Sequence, residues 1–246
     1  MADKVALITG GARRVGAAIC RRLHASGVDL MLHYRRSADA AHALQAELNG
    51  LRPDSVALVQ ADLLNLASLP TMVADTVRQF GRLDVLINNA SSFFPTPVGE
   101  IGEREWDDLM GTNLKTPLFL SQTAAPHLRR TQGCIVNIVD IHADRPMRNH
   151  IVYSVAKGGL VALTRALASE LGPEVRVNGV SPGVIMWPED ERWADELARQ
   201  RIVQTTLLKR IGDPEDIART VRFLVFDAPY VTGQVIAVDG GRSIHL

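Results

Sequence analysis

The chain predicts a single doubly wound α/β domain spanning residues 1–246, with about seven parallel strands and helices on both faces of the sheet. Three observations predict it. Strand-length runs are apolar almost throughout, they alternate with helical patterns, and a glycine-rich turn follows the first run directly. Residues 5–8 form that run and meet Thr9-Gly10-Gly11, after which an alanine-rich segment, 13–24, repeats its apolar residues at helical spacing. The same order recurs as strand 28–33, helix 38–48, strand 56–60, helix 66–80 and strand 83–87. It continues through helix 106–128, strand 135–139, helix 152–171, strand 175–180, helix 217–226 and strand 235–238. Asp213-Pro214-Glu215-Asp216 supplies a cap, a first-turn proline and acidic residues ahead of the late helix. Pro117 falls inside the 106–128 pattern, so a kink is expected there. No linker or repeated sequence marks a domain boundary.

Composition narrows the function. The 246 residues carry 27 Lys plus Arg against 27 Asp plus Glu, so a nucleic-acid or anionic-membrane partner held by bulk charge is not expected. Cys20 and Cys134 lack partners at metal-ligand or disulfide spacing, so no metal is expected and both read as buried small apolar residues. The start, Met1-Ala2-Asp3-Lys4, resembles no signal peptide, and no apolar run approaches the ~18 residues of a membrane span. A cytoplasmic enzyme is the expectation.

Ligands of such a sheet bind beyond the C-terminal strand ends. The first turn, Thr9-Gly10-Gly11-Ala12-Arg13-Arg14-Val15-Gly16, allows close backbone approach and presents helix N–H groups to a pyrophosphate, yet it is not GxGxxG spaced. Arg14 stands where a third glycine is expected. After the second strand comes His33-Tyr34-Arg35-Arg36-Ser37, whose guanidinium and hydroxyl donors suit a 2′-phosphate and favour NADP over NAD; a solvated helix start is the plainer alternative. Asp62 and Asn88-Asn89-Ala90 lie on the same rim.

In the 152–171 helix, Tyr153 and Lys157 sit at i and i+4, one turn apart on one face, where an ammonium would draw the phenol toward its anion. Asp140 ends the preceding strand and faces the same cleft. Asn113 shares a helix stripe with Trp106, Leu109 and Met110, either as part of the site or as a satisfied core amide.

Thr9-Gly10…Gly16, Asn88-Asn89-Ala90, Asn113, Tyr153-x-x-x-Lys157 and Ser181-Pro182-Gly183 together resemble the short-chain dehydrogenase/reductase family over essentially the whole chain. The resemblance implies a Rossmann-type fold and cofactor contacts from Gly10, Arg14, Val15, Gly16, Tyr34, Arg35, Arg36, Ser37, Asp62, Leu63, Asn89, Ala90, Tyr153, Lys157, Pro182 and Gly183. Family members usually carry glycine where this chain has Arg14 and a catalytic serine where it has Asp140. Those departures, with Asn89-Ala90-Ser91-Ser92-Phe93-Phe94-Pro95-Thr96-Pro97 and the 33–37 segment, resemble the pteridine reductase branch. That branch implies NADPH-dependent reduction of a pterin or folate substrate by a homotetramer. Tyr153 would donate the proton, Asp140 would assist it, Lys157 would bind ribose, and Asn113 would complete the catalytic set. Arg14, Ser91, Phe93, Asp140 and Tyr153 would contact substrate, with Phe93 stacked on the pterin. The loop after the sixth strand, residues 182–188, lies over the same cleft in this topology and is expected to be a lid, its Trp187 either lining the substrate pocket or lying on the surface. Two other readings stay open: a ketone or 3-oxoacyl reductase of the same family, and a non-catalytic NADP-sensing protein.

Overall fold

The computed structural model describes residues 4–187 and 194–245. Seven strands, β1 (Lys4–Ile8), β2 (Val28–Tyr34), β3 (Val56–Gln60), β4 (Val85–Asn88), β5 (Cys134–Ile138), β6 (Arg176–Pro182) and β7 (Val235–Val238), form one all-parallel sheet in the order 3-2-1-4-5-6-7. The order reverses between β1 and β4, so a crevice opens beyond their C-terminal ends.

The strands read as apolar almost throughout because both faces are covered. Successive side chains point to opposite faces. Ile8, Ile87 and Val136 therefore pack with α1 (Arg14–Ala25), α2 (Ala38–Leu51) and α8 (Pro214–Phe226), through Ile19, Leu44 and Val221 among others. Their neighbours Leu7, Leu86 and Ile135 pack with α3 (Ser68–Phe80), α5 (Thr116–Thr131) and α6 (Ile151–Leu171), through Met72, Leu120 and Leu167. Asp213 starts α8 as the sequence suggests: its carboxylate accepts from Glu215 N at 2.8 Å, and its own N–H donates to Asp216 at 3.0 Å. Both cysteines are buried, and burial raises their thiols to about 12 (Cys20) and about 11 (Cys134), which makes them inert as nucleophiles.

Three expectations are corrected. The 106–128 segment is not one kinked helix: α4 (Glu103–Met110) passes into a π-helical turn, Gly111–Lys115, before α5. The Thr116 N–H reaches back five residues to the Gly111 carbonyl, and Pro117 sits in the first turn of α5, where its missing N–H costs little. Trp106 does not share a buried stripe with Leu109 and Asn113; it is 45% exposed while they are buried. Helix α6 is long and apolar enough to cross a membrane by length and composition, but over half of its apolar window is buried inside the fold, as befits a core helix. One further helix, α7 (Glu196–Thr205), has no apolar period in the sequence and no fully buried side chain.

Candidate active site

A cleft of about 600 Å³ lies over the ends of β1, β2, β4, β5 and β6, within the ~300–1,000 Å³ range of small-molecule sites. Its floor is the turn after β1. Gly10 has φ +63°, which only glycine adopts without strain, and a Cβ on Gly16 would lie 2.2 Å from the Gly10 carbonyl oxygen. Backbone therefore comes closer here than any side chain permits. Gly16→Ala should lower the thermal unfolding midpoint by about 3–10 °C, as overpacking by ~1–3 kcal/mol does in a chain of this size; an unchanged midpoint would contradict this close approach.

Two polar ties hold the turn. The Gly10 N–H donates to His33 Nδ1 at 3.1 Å, so the other ring nitrogen, 3.1 Å from the Ala61 carbonyl, carries the hydrogen and the ring is neutral. Burial lowers the His33 pKa and sustains that state. Thr9 Oγ1 accepts from the N–H groups of Asn89 and Ala90, both at 3.0 Å, while the Asn89 amide donates to the carbonyls of Thr9 and Gly10 at 2.9 and 3.0 Å. These bonds lock the β1 turn to the β4 turn. At the other wall, Tyr34, Arg35, Arg36 and Ser37 line the cleft, with Arg35 3.9 Å from the Asp62 carboxylate. That pair is exposed enough to contribute little to stability.

The reacting end is built from β5 and α6. Asp140 follows β5 and caps the one-turn helix Ile141–Ala143: its Oδ1 accepts from His142 N at 2.8 Å. This leaves Oδ2 to accept the Tyr153 hydroxyl at 2.8 Å. One turn along α6, Lys157 Nζ donates to the Ile138 carbonyl at 2.9 Å and stands 5.7 Å from the Tyr153 ring centre. Tyr153 and Lys157 are both buried, whereas Asp140 retains contact with solvent.

The electrostatics reverse one expectation. Burial raises the Tyr153 pKa well above 10, the negative charge of Asp140 and the hydrogen bond to it raise it further, and only the Ser91 hydroxyl opposes them. The phenol is held neutral rather than drawn toward its anion. Burial also lowers Lys157 to about 8, against the partial support of Asp140.

The cleft brings together the sequence-predicted residues except Asn88, which is buried against Ser121 and Asn137, and Phe93, Asn113, Gly183 and Trp187. Asn113, buried in the π-helical turn, donates to the carbonyls of Ser92 and Leu109 at 3.0 and 2.9 Å and accepts from Ser91 Oγ at 2.6 Å, so its amide positions the loop after β4. Phe93 lies edge to face with Tyr153, centroids 4.9 Å apart. Gly183 packs against Asp239 and donates to the Val238 carbonyl. Trp187 faces Arg199 of α7, 5.5 Å from its guanidinium, and lines a neighbouring cavity. Of the expected lid, Pro188 lies outside the described residues. Among the described residues, no group of three or more His, Cys, Asp or Glu is placed to hold a metal.

A family model described as enoyl-(acyl carrier protein) reductase matches residues 10–243. Pteridine reductase 1 of Leishmania tarentolae is 39% identical over 98% of this chain and 96% of its own. The chain belongs to the short-chain dehydrogenase/reductase family. Other members match almost as well: 3-oxoacyl-[acyl-carrier-protein] reductases from Staphylococcus aureus and Staphylococcus epidermidis are each 36% identical over 97% of this chain and 97% and 98% of theirs. Short-chain dehydrogenase/reductase members are oxidoreductases that use NAD(P)H, and that coarse activity holds for this chain.

Two departures from the usual short-chain dehydrogenase/reductase pattern both face the cleft. Arg14, where a glycine is usual, has a left-handed backbone, φ +53°, at a cost of roughly 1–2 kcal/mol. Its guanidinium spans to the segment after β6, donating to the carbonyls of Met186 and Trp187 at 3.3 and 3.1 Å. Asp140 supplies a carboxylate where serine is usual. Sequence reasoning assigned no role to His33, and the structure provides one: His33 fixes the glycine turn.

Proposed function

We propose that this enzyme is an NADPH-dependent pteridine reductase that transfers hydride to a ring C=N bond of a dihydropterin, with dihydrofolate as a related substrate. The 2.8 Å bond from the Tyr153 hydroxyl to Asp140 carries the reading. Reducing C=N places hydride on carbon and a proton on nitrogen. A neutral buried phenol is the right donor, and a carboxylate that still meets solvent is the right group to return a proton to it. Lys157, fixed on the Ile138 carbonyl, holds its ammonium beside the phenol, where it would bind the nicotinamide ribose.

The residues present fit NADPH. Gly10 and Gly16 form a cradle that a Cβ would fill, and Arg35, Arg36 and Ser37 offer donors for a 2′-phosphate. When bound, NADPH supplies the hydride. Arg36→Glu is expected to weaken NADPH binding about 10–100-fold, the worth of one or two lost charge-assisted bonds, and to change NADH binding far less. Equal losses measured by fluorescence titration would remove the argument for NADP.

A second reading has its own support. The 3-oxoacyl reductases match at 36% identity, against 39% for the pteridine reductase. A ketone calls for a neutral hydroxyl rather than a carboxylate beside the oxygen, which favours the pterin. Steady-state turnover of dihydrobiopterin against a 3-oxoacyl thioester tests the choice: preference for the pterin is expected, and preference for the thioester overturns it. The homotetramer belongs to the same proposal; Leu118 on α5 and Ile151 and Val155 on α6 expose apolar surface that such an assembly would cover.

A further inference from the structure

We propose that His150 is a positioning residue that backs Phe93 and so fixes an aromatic wall against which one face of a planar substrate rests. The inference rests on the pterin reading and names how the site selects a flat ring. His150 and Phe93 lie ring on ring, centroids 4.7 Å apart and 14° from parallel, while Phe93 also touches Tyr153 at 77°. The phenylalanine thus bridges a buried histidine and the proton donor. It still exposes 37% of its surface, which leaves area for a ligand.

The backbone makes this contact a built one. The loop after β4 is tied to the start of α6: Thr96 pairs with His150 in an isolated parallel bridge, its N–H donates to the Asn149 carbonyl at 2.6 Å, and its hydroxyl accepts from Val152 N at 3.2 Å. The fold thereby delivers the two rings to each other. His150 occupies the N-cap of α6 and makes no side-chain cap bond, although that position favours short polar residues that do. Its Nδ1 instead meets the Arg148 carbonyl at 2.9 Å, which orients the ring against Phe93. Neither ring is part of the cleft lining itself; Phe93 borders the cleft through its edge contact with Tyr153, which is, so His150 acts through Phe93 and not on the reacting atoms.

Stacking against a rigid, supported ring costs a ligand less than ordering a mobile one, so the effect belongs in substrate affinity. His150→Ala is expected to raise the KM for dihydrobiopterin about five- to tenfold, with kcat and the Kd of NADPH within about twofold of the wild type. His150→Phe, which restores a flat ring without the histidine's hydrogen bond, is expected to recover KM to within about twofold. An unchanged KM in His150→Ala, an equal loss in His150→Phe, or a parallel loss of NADPH affinity would overturn the assignment. If the wild type does not reduce the pterin, the substrate reading has failed, and crystal structures of wild type and His150→Ala decide the positioning role alone. Displacement of Phe93 from Tyr153 in the variant supports that role, and an unmoved Phe93 overturns it.

Discussion

Tyr153→Phe should lower kcat about 10²–10⁴-fold, the usual worth of a positioned proton donor, while NADPH binds as before. The substitution removes one oxygen and keeps the ring. Its edge contact with Phe93 survives, and so does the packing with Leu109 and Val152. What disappears is the only hydroxyl bonded to Asp140 Oδ2 among the described residues. The wild-type phenol is neutral across the working range because burial and Asp140 both raise its pKa, so its own ionisation should not appear in a pH profile near neutrality. Rapid mixing with NADPH and dihydrobiopterin checks the loss. Activity within about tenfold of the wild type would mean that the proton reaches nitrogen by another route.

Asp140→Asn is the second large effect, about 10²-fold or more in kcat/KM for a dihydropterin, because the amide matches the shape but cannot return a proton to Tyr153. The variant also tests the charge coupling. In the wild type, kcat/KM should fall as pH rises through about 8, where Lys157 gives up its proton. Asp140 is the attraction that keeps Lys157 from falling further, so neutralising it should move that alkaline limb below about 8. Stability responds to the same lysine with a definite sign. Lys157 titrates near 8 when folded and near 10.5 when unfolded, so between those values the unfolded chain binds more protons and stability rises with pH; below about 8 both states are charged and the cost of the buried ammonium is fully present. An alkaline limb that stays put in Asp140→Asn would show that the carboxylate does not act on the lysine.

The strands were legible because two covered faces demand apolar residues on both sides of the sheet, as Leu7 beside Ile8 and Leu86 beside Ile87 illustrate. The order β-glycine turn-α likewise announced the cleft. Helix α7 left no trace, since a helix with no fully buried side chain imposes little period on its residues. The π-helical turn was hidden for a different reason: Pro117 signals an interruption, and whether the chain answers by bending or by widening one turn depends on what Asn113 must reach. Spacing placed Tyr153 and Lys157 together, but it carries no information on burial, and burial decides the direction in which each titrates. His150 was invisible because its partner is far away in sequence, joined to it only through the Thr96 bridge.

The seam between β1 and β4 divides labour along the polypeptide. On the proposed assignment, the residues from Gly10 to Ser37 that come before it grip the nucleotide, and Asp140, Tyr153 and Lys157 all come after it. The halves meet through three registered pairs, Ala6 with Val85, Leu7 with Leu86 and Ile8 with Ile87, through the Thr9–Asn89 knot, and through α1 packed on α8. Recombination between homologues near that knot would exchange chemistry while leaving dinucleotide preference untouched, which gives evolution a short route to re-pairing old cofactors with new substrates.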